Sequence, residues 1–153
     1  MARILVVYHS QSGNTQRMAE AVAKGAAETQ LAVVELKRAA AVTADDLTNC
    51  HGLVICSPEY FGFMAGALKD LFDRTYEALK DHPRIQKKPF AIVISAGNDG
   101  QGALASIERI ARGYRLKKVQ HPIIAKGPVT PEVLTQCEEL GRVMAEGCAA
   151  EVF

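Results

Sequence analysis

The sequence predicts an α/β protein built on a doubly wound, five-stranded parallel sheet with helices on both faces. Short apolar runs, typical of buried strands, alternate with stretches in which apolar residues recur at helical spacing. Such alternation joins parallel strands through crossover helices, and the strand order 2-1-3-4-5 fits it. The 153 residues suffice for a sizeable core, so we expect residues 1–153 to form one domain.

Each element can be placed in order along the chain. Strands are predicted from residue 4 onward, at 32–36, 53–56 and 90–94, and within 118–125. Helices are predicted after residue 15, after the aromatic segment near residue 60, after residue 102 and from Pro131, with a short helix started by Thr43. No internal repeat, low-complexity tract or linker interrupts this pattern.

Composition excludes several classes of protein. Hydrophobic residues make up 48% of the chain, which argues against disorder, and the net charge of +1 gives no indication of nucleic-acid binding. The apolar runs are too short to span a membrane, and the sequence enters a strand without a signal-peptide pattern. We therefore expect a cytoplasmic protein. The cysteines lack zinc or redox-motif spacing, which favours reduced core thiols and no metal site.

Residues 10–15 form the first segment with more than turn-like composition. They lie between a strand and a helix, where backbone N–H groups and the helix dipole favour an anion. Four side chains add donors and Gly13 permits close approach of the backbone, whereas Lys and Arg are absent from the segment. A phosphate monoester held by neutral dipoles is the favoured interpretation. The alternative is a plain turn with Asn14 or Thr15 as the helix N-cap.

Two further segments follow the third and fourth strands. Residues 57–66 place three aromatic residues and a methionine between a strand and a helix, which suggests a platform for an aromatic ring. A segment packed against its own helix or a partner subunit is the alternative. Residues 95–102 are rich in glycine, and a flexible polar turn is their alternative interpretation. All three segments follow strands of one parallel sheet, so we expect them to face one crevice at its carboxyl edge.

These segments carry a resemblance to a known family. Residues 10–15, Ser-Gln-Ser-Gly-Asn-Thr, match the phosphate-loop pattern S-x-[ST]-G-N-T of flavodoxin-like proteins. Residues 57–62 and 65–74 resemble the ring-binding segment and helix of WrbA-like NAD(P)H:quinone oxidoreductases and of NAD(P)H-dependent FMN reductases. The resemblance implies FMN as cofactor. The implied binding residues are Ser10, Gln11, Ser12, Gly13, Asn14, Thr15, Pro58, Glu59, Tyr60, Phe61, Gly62, Ser95, Ala96, Gly97, Asn98, Gly100 and Gly102.

The resemblance implies a two-electron reductase that takes hydride from NAD(P)H and passes it to a quinone or similar small acceptor in a ping-pong cycle. No catalytic side chain is expected, because the flavin carries the chemistry. A one-electron carrier and a non-redox binding module are the alternatives. The balanced charge and the lack of an aromatic residue in 95–102 favour the reductase. Phe61, Phe63 and Met64 further predict a homo-oligomer, a dimer or tetramer.

Overall fold

The computed structural model describes all 153 residues and has an open, mainly parallel sheet at its centre. Its strands are β1 (Ala2–Tyr8), β2 (Ala32–Arg38), β3 (Gly52–Tyr60), β4 (Phe63–Met64), β5 (Pro89–Ala96), β6 (Lys117–Lys118) and β7 (Ile123–Lys126). The order is β2-β1-β3-β5-β6, with β7 pairing further along β5 and β4 antiparallel on β3. Since β6 and β7 occupy the position of the fifth predicted strand, the predicted order 2-1-3-4-5 is confirmed.

Helices cover both faces of the sheet. They are α1 (Asn14–Glu28), α2 (Ala44–Asn49), α3 (Gly66–Leu79), α4 (Gln101–Gly113) and α5 (Pro131–Ala149), with a single 3₁₀ turn at Ala39–Ala41. Side chains of β1 alternate between two cores: Leu5 and Val7 face α2, α3 and α4, whereas Ile4 and Val6 face α1 and α5. Burial on both faces explains the uninterrupted apolar runs. No helix has both the length and the apolarity needed to cross a bilayer.

Two glycines set the distance between α1 and α5. A Cβ atom at Gly141 would lie 1.9 Å from the carbonyl oxygen of Val22, and one at Gly25 would lie 1.9 Å from that of Glu138. Each helix thus presents a glycine to the backbone of the other. This close packing brings Met18, Val22 and Met144 into one core beneath the sheet.

Strands β3 and β5 extend further than predicted. β3 continues through Pro58, Glu59 and Tyr60, and then turns back into β4, with Glu59 opposite Met64. β5 continues through Ser95 and Ala96, where Pro58 pairs with Ser95. The prediction that these five residues lie in loops is therefore wrong. β1 ends opposite Cys56, so β3 beyond that point has a neighbour in the parallel sheet on one side only and tolerates a residue without an N–H.

The fifth predicted strand is interrupted. Lys118 pairs with Phe90 and Ile123 pairs with Val93. Between these two pairs the edge strand has four residues, whereas β5 has only two. The surplus forms a bulge at residues 120–122, where Pro122 has no N–H to donate to the ladder. The prediction of one continuous strand within 118–125 is therefore wrong, although both β6 and β7 are parallel to β5.

Candidate functional site

The three predicted segments meet at the carboxyl edge of the sheet. Thr15, in the first turn of α1, and Ser95, near the end of β5, are hydrogen-bonded through their buried hydroxyls at 2.7 Å. The ring of His9 lies edge-on to that of Tyr60, with 6.1 Å between centroids. Burial raises the pKa of the Tyr60 phenol, and the nearby Gln11 backbone offsets part of that rise. Residues 10–15, the β3–β4 hairpin and the end of β5 therefore form one continuous surface.

The N-terminus of α1 leaves several backbone donors free. Gly13 is the N-cap residue with φ of 98°, and no side chain caps the helix. The Gly13 amide donates to the Ser10 hydroxyl at 3.1 Å. The amides of Ser12, Asn14, Thr15 and Gln16 have no acceptor within the protein. Because Asn14 and Thr15 lie inside the helix, the alternative in which one of them is the N-cap is wrong.

Two guanidinium groups flank this N-terminus. Arg17 donates to the Asn14 side chain at 2.9 Å. Arg38, the last residue of β2, donates to the Ser10 carbonyl at 3.3 Å and to the Gln16 side chain at 3.4 Å. Sequence reasoning missed Arg38 because it lies far along the chain from the loop. The predicted strand order could have identified Arg38, since the order 2-1-3 places the end of the second strand beside the end of the first.

The β3–β4 hairpin is fixed at its base. The buried Ser57 hydroxyl donates to the Pro58 carbonyl at 2.7 Å and accepts from the Ala65 amide at 3.0 Å. The Met64 amide donates to the Ser106 hydroxyl of α4 at 3.1 Å. Met64 is 2% exposed, so its predicted role on an exposed apolar segment is wrong, whereas Phe61 at the tip is fully exposed.

Helix α4 holds the same hairpin from the side. The Ala103 amide donates to the Glu59 carboxylate at 2.9 Å, so Glu59 satisfies a donor in the first turn of α4. Gly102 lies in α4, and a Cβ atom there would be 2.0 Å from the Gly62 carbonyl oxygen. Gly102 is therefore a packing residue between helix and hairpin, not a loop residue as predicted.

The segment between β5 and α4 is short and open. Gly97, Asn98 and Asp99 are exposed, and the Asp99 carboxylate accepts from the Gln101 amide at 3.0 Å. Gly100 is the buried N-cap of α4 with φ of 72°. In the predicted glycine-rich segment, only these three residues and Gln101 are exposed, and none of them is aromatic.

Comparison with known proteins now identifies the family. The model of the NADPH-dependent FMN reductase family matches residues 35–123, which include the hairpin, β5 and α4. The chain belongs to this family. The sheet order and the two helical layers of this chain are those of the flavodoxin-like fold.

Individual relatives and solved structures are also similar to this chain. A flavodoxin from Aquifex aeolicus (strain VF5) is 30% identical over 97% of this chain and 88% of the relative. An NAD(P)H dehydrogenase (quinone) from Acidithiobacillus ferrooxidans is 34% identical over 65% of this chain and 60% of the relative. The solved structure of a flavodoxin from the domain Archaea is 28% identical with a TM-score of 0.81, covering 95% of this chain and 98% of that one.

The residues present at the carboxyl edge fit FMN. Four free amides and the positive end of α1 form a donor set suited to a phosphate. A Cβ atom at Gly13 would meet no atom within 4 Å, so the backbone there is open to a ligand. In keeping with its relatives, this family member has an FMN-binding flavodoxin-like fold.

Two cysteines and a buried lysine lie away from this edge. Burial raises the pKa of Cys137 to about 12 and that of Cys148 to about 11, so neither thiol ionises readily. Lys88, directly before β5, is 6% exposed and donates to the carbonyls of Leu47, Thr48 and Cys50 at the end of α2. Lys88 therefore stabilises a helix C-terminus and does not contribute a free surface charge.

Proposed function

We propose that this family member is an NAD(P)H-dependent oxidoreductase that uses FMN to pass two electrons to a quinone or similar small acceptor. The observation that carries the proposal is the short, exposed segment at Gly97, Asn98 and Asp99. It provides no aromatic side chain to cover a flavin ring, whereas Tyr60, Phe61 and Phe63 lie on the hairpin side. A nicotinamide and a quinone both need access to one ring face.

Different segments of the chain would bind different parts of FMN. The free amides and hydroxyls of residues 10–15 would bind the phosphate. Pro58, Glu59, Tyr60, Phe61 and Gly62 of the hairpin would support the ring, and residues 95–100 would line its other side through the backbone. Bound FMN would supply the hydride acceptance and donation itself. The chain's contribution is a rigid support, since Ser57, Glu59 and Ser106 hold the hairpin in place.

Charge at the site supports a nucleotide donor. Arg17, Arg38 and Lys126 lie at the carboxyl edge and take part in no ion pair. The acids nearby, Glu59 and Asp99, accept hydrogen bonds from the first turn of α4. The three cations outnumber these two carboxylates, and a net positive charge attracts anionic ligands such as NAD(P)H and raises their association rate.

A one-electron carrier is the second candidate. It is favoured by the flavodoxin from Aquifex aeolicus, which covers nearly the whole chain. Against it, the 18 basic and 17 acidic residues give no strongly acidic field of the kind that resists addition of negative charge to a flavin.

An anaerobic reduction experiment separates the two candidates. The FMN-loaded protein, freed of excess flavin, is mixed with NADH or NADPH, and the visible absorbance of oxidised flavin is followed. Rapid bleaching by one nucleotide supports the reductase. Retained colour with both nucleotides, together with a dithionite titration in two separate one-electron stages, contradicts it and supports the carrier. Failure to retain FMN contradicts both.

A variant tests the open-face argument directly. Asn98→Tyr adds an aromatic ring to the exposed segment, and we expect the bleaching rate to fall at least about tenfold while FMN is retained, because the nicotinamide loses its place. Arg112→Tyr, in the last turn of α4 at the opposite edge of the sheet, is the control and should bleach at the wild-type rate. Equal rates for wild type and Asn98→Tyr would contradict the role of the open face.

A further inference from the structure

Arg38 stands beside the phosphate loop without an acidic partner. It ends β2, where its backbone pairs with Tyr8 of β1 in the parallel register. Its guanidinium carbon lies 5.0 Å from the centre of the Tyr8 ring, a cation–π contact. None of the ion pairs in the structure includes it. The positive charge is therefore held in place but not neutralised.

The hydrogen bonds of Arg38 leave most of its donors available. A guanidinium group has five N–H donors. Here two bonds are made, at 3.3 Å to the Ser10 carbonyl and 3.4 Å to the Gln16 side chain, and both acceptors are neutral. Bonds from arginine to a phosphate are shorter and stronger than these and are frequently bidentate. An anion on the loop would thus offer Arg38 a better partner than it has now.

The N-terminus of α1 likewise carries partial positive charge that no acidic side chain balances. It contains no acidic residue, and the amides of Ser12, Asn14, Thr15 and Gln16 are free. The helix dipole, the free amides and Arg38 all act on residues 10–16. Such an arrangement favours a ligand with a terminal phosphate dianion over one with no phosphate.

We propose that Arg38 is a specificity residue that makes the site select FMN over riboflavin by binding the terminal phosphate of FMN. This inference rests on the proposed role of residues 10–15 as the phosphate loop. Tyr8 and the Ser10 carbonyl hold the guanidinium near the loop before the ligand arrives, so little side-chain freedom is lost on binding. Lysine at this position would keep the charge but lose the planar stacking on Tyr8.

Paired binding measurements test the proposal. The apoprotein is titrated with FMN and, separately, with riboflavin, and quenching of flavin fluorescence gives each dissociation constant. For Arg38→Gln we expect the FMN constant to rise about tenfold or more, as for loss of a hydrogen bond to a charged group, with the riboflavin constant unchanged. Arg38→Lys should recover part of the loss. Added salt should weaken FMN binding to wild type more than to Arg38→Gln.

Control measurements separate the loss of phosphate binding at Arg38 from a general loss of positive charge and from a loss of folding. Arg112→Gln removes the same charge at the opposite edge of the sheet and should leave both constants at their wild-type values. Thermal unfolding of each apoprotein checks that the variants fold. Equal weakening of FMN and riboflavin by Arg38→Gln, or no weakening of either, overturns the proposal while the loop assignment survives. A wild type that binds both flavins equally well overturns the loop assignment and the role of Arg38 together.

Discussion

Phe61 is held in a backbone conformation that its side chain disfavours. It has φ of 53° and the following Gly62 has φ of 71°, the signs required by the two central residues of a type I′ hairpin turn. Asn-Gly is the favoured pair for such a turn. The left-handed conformation costs about 1–2 kcal/mol for a residue with a Cβ. The Phe61 side chain is fully exposed, so contacts within the protein do not offset that cost.

Replacing Phe61 should therefore separate stability from flavin binding. We expect Phe61→Asn to raise the free energy of unfolding of the apoprotein by about 1 kcal/mol, and the melting temperature by about 2–4 °C. The hairpin is proposed to support the flavin ring, so the same variant should also bind FMN more weakly, because the flavin would lose an aromatic neighbour. Calorimetry and fluorescence titration measure the two effects. Phe63→Asn, on β4 of the same hairpin, is the control and should give no stabilisation. An unchanged melting temperature for Phe61→Asn would contradict the strain argument.

At the scale of single residues, the sequence predicts which residues carry suitable donor groups better than it predicts which residues contact one another. The donors of residues 10–15 are where the pattern placed them, and their binding role stays a prediction. Glu59 and Gly102 have structural roles, as a helix-capping acceptor and a packing glycine, because α4 lies against the hairpin. That contact joins residues more than forty positions apart. No local pattern contains it.

At the scale of elements, the packing of α1 on α5 depends on backbone contact. Gly141→Ala would place a methyl group 1.9 Å from the Val22 carbonyl oxygen, in the middle of both helices. We expect the free energy of unfolding to fall by about 3 kcal/mol, because the helices must separate. Gly113→Ala, at the end of α4 with no atom within 4 Å of the new Cβ, is the matched control. It should be neutral or stabilising by up to about 1 kcal/mol.

Urea unfolding of the two glycine variants gives the comparison. Similar stability of both would show that the α1–α5 contact relaxes without cost. No sequence pattern indicates this contact, since Gly25 and Gly141 lie in ordinary helical patterns. The residues at which strands end could likewise not be predicted from the sequence. Pro58 reads as a strand terminator, and only the early end of β1 makes a proline acceptable at that point of β3.

At the scale of the whole molecule, self-association remains a prediction. Phe63 is 43% exposed beside the exposed Phe61, whereas Met64 is buried and no longer supports the argument. We expect light scattering at micromolar concentration to give a dimer or larger mass, and Phe63→Ser to shift it toward the monomer. Leu31→Ser removes a side chain of similar exposure, 45%, and should not change the mass. A monomeric wild type would contradict the prediction.

The fold as a whole was predictable because its signals are local and repeated. Uninterrupted apolar runs require strands buried on both faces, and helical spacing between them requires crossovers, which leaves few possible sheets. Arg38 shows how topology extends such reasoning, since the strand order alone places it beside residues 10–15. Hairpin tip geometry and the break in the edge strand depend on backbone detail that residue types do not encode.

The bulge at residues 120–122 has a practical consequence. β6 and β7 each pair with β5 on their own, in registers that differ by two residues. The chain between them can lengthen without altering either set of backbone hydrogen bonds. This point of the edge strand is therefore a natural place to graft a foreign peptide, such as an affinity tag or a sensor module, while the flavin-binding fold is kept.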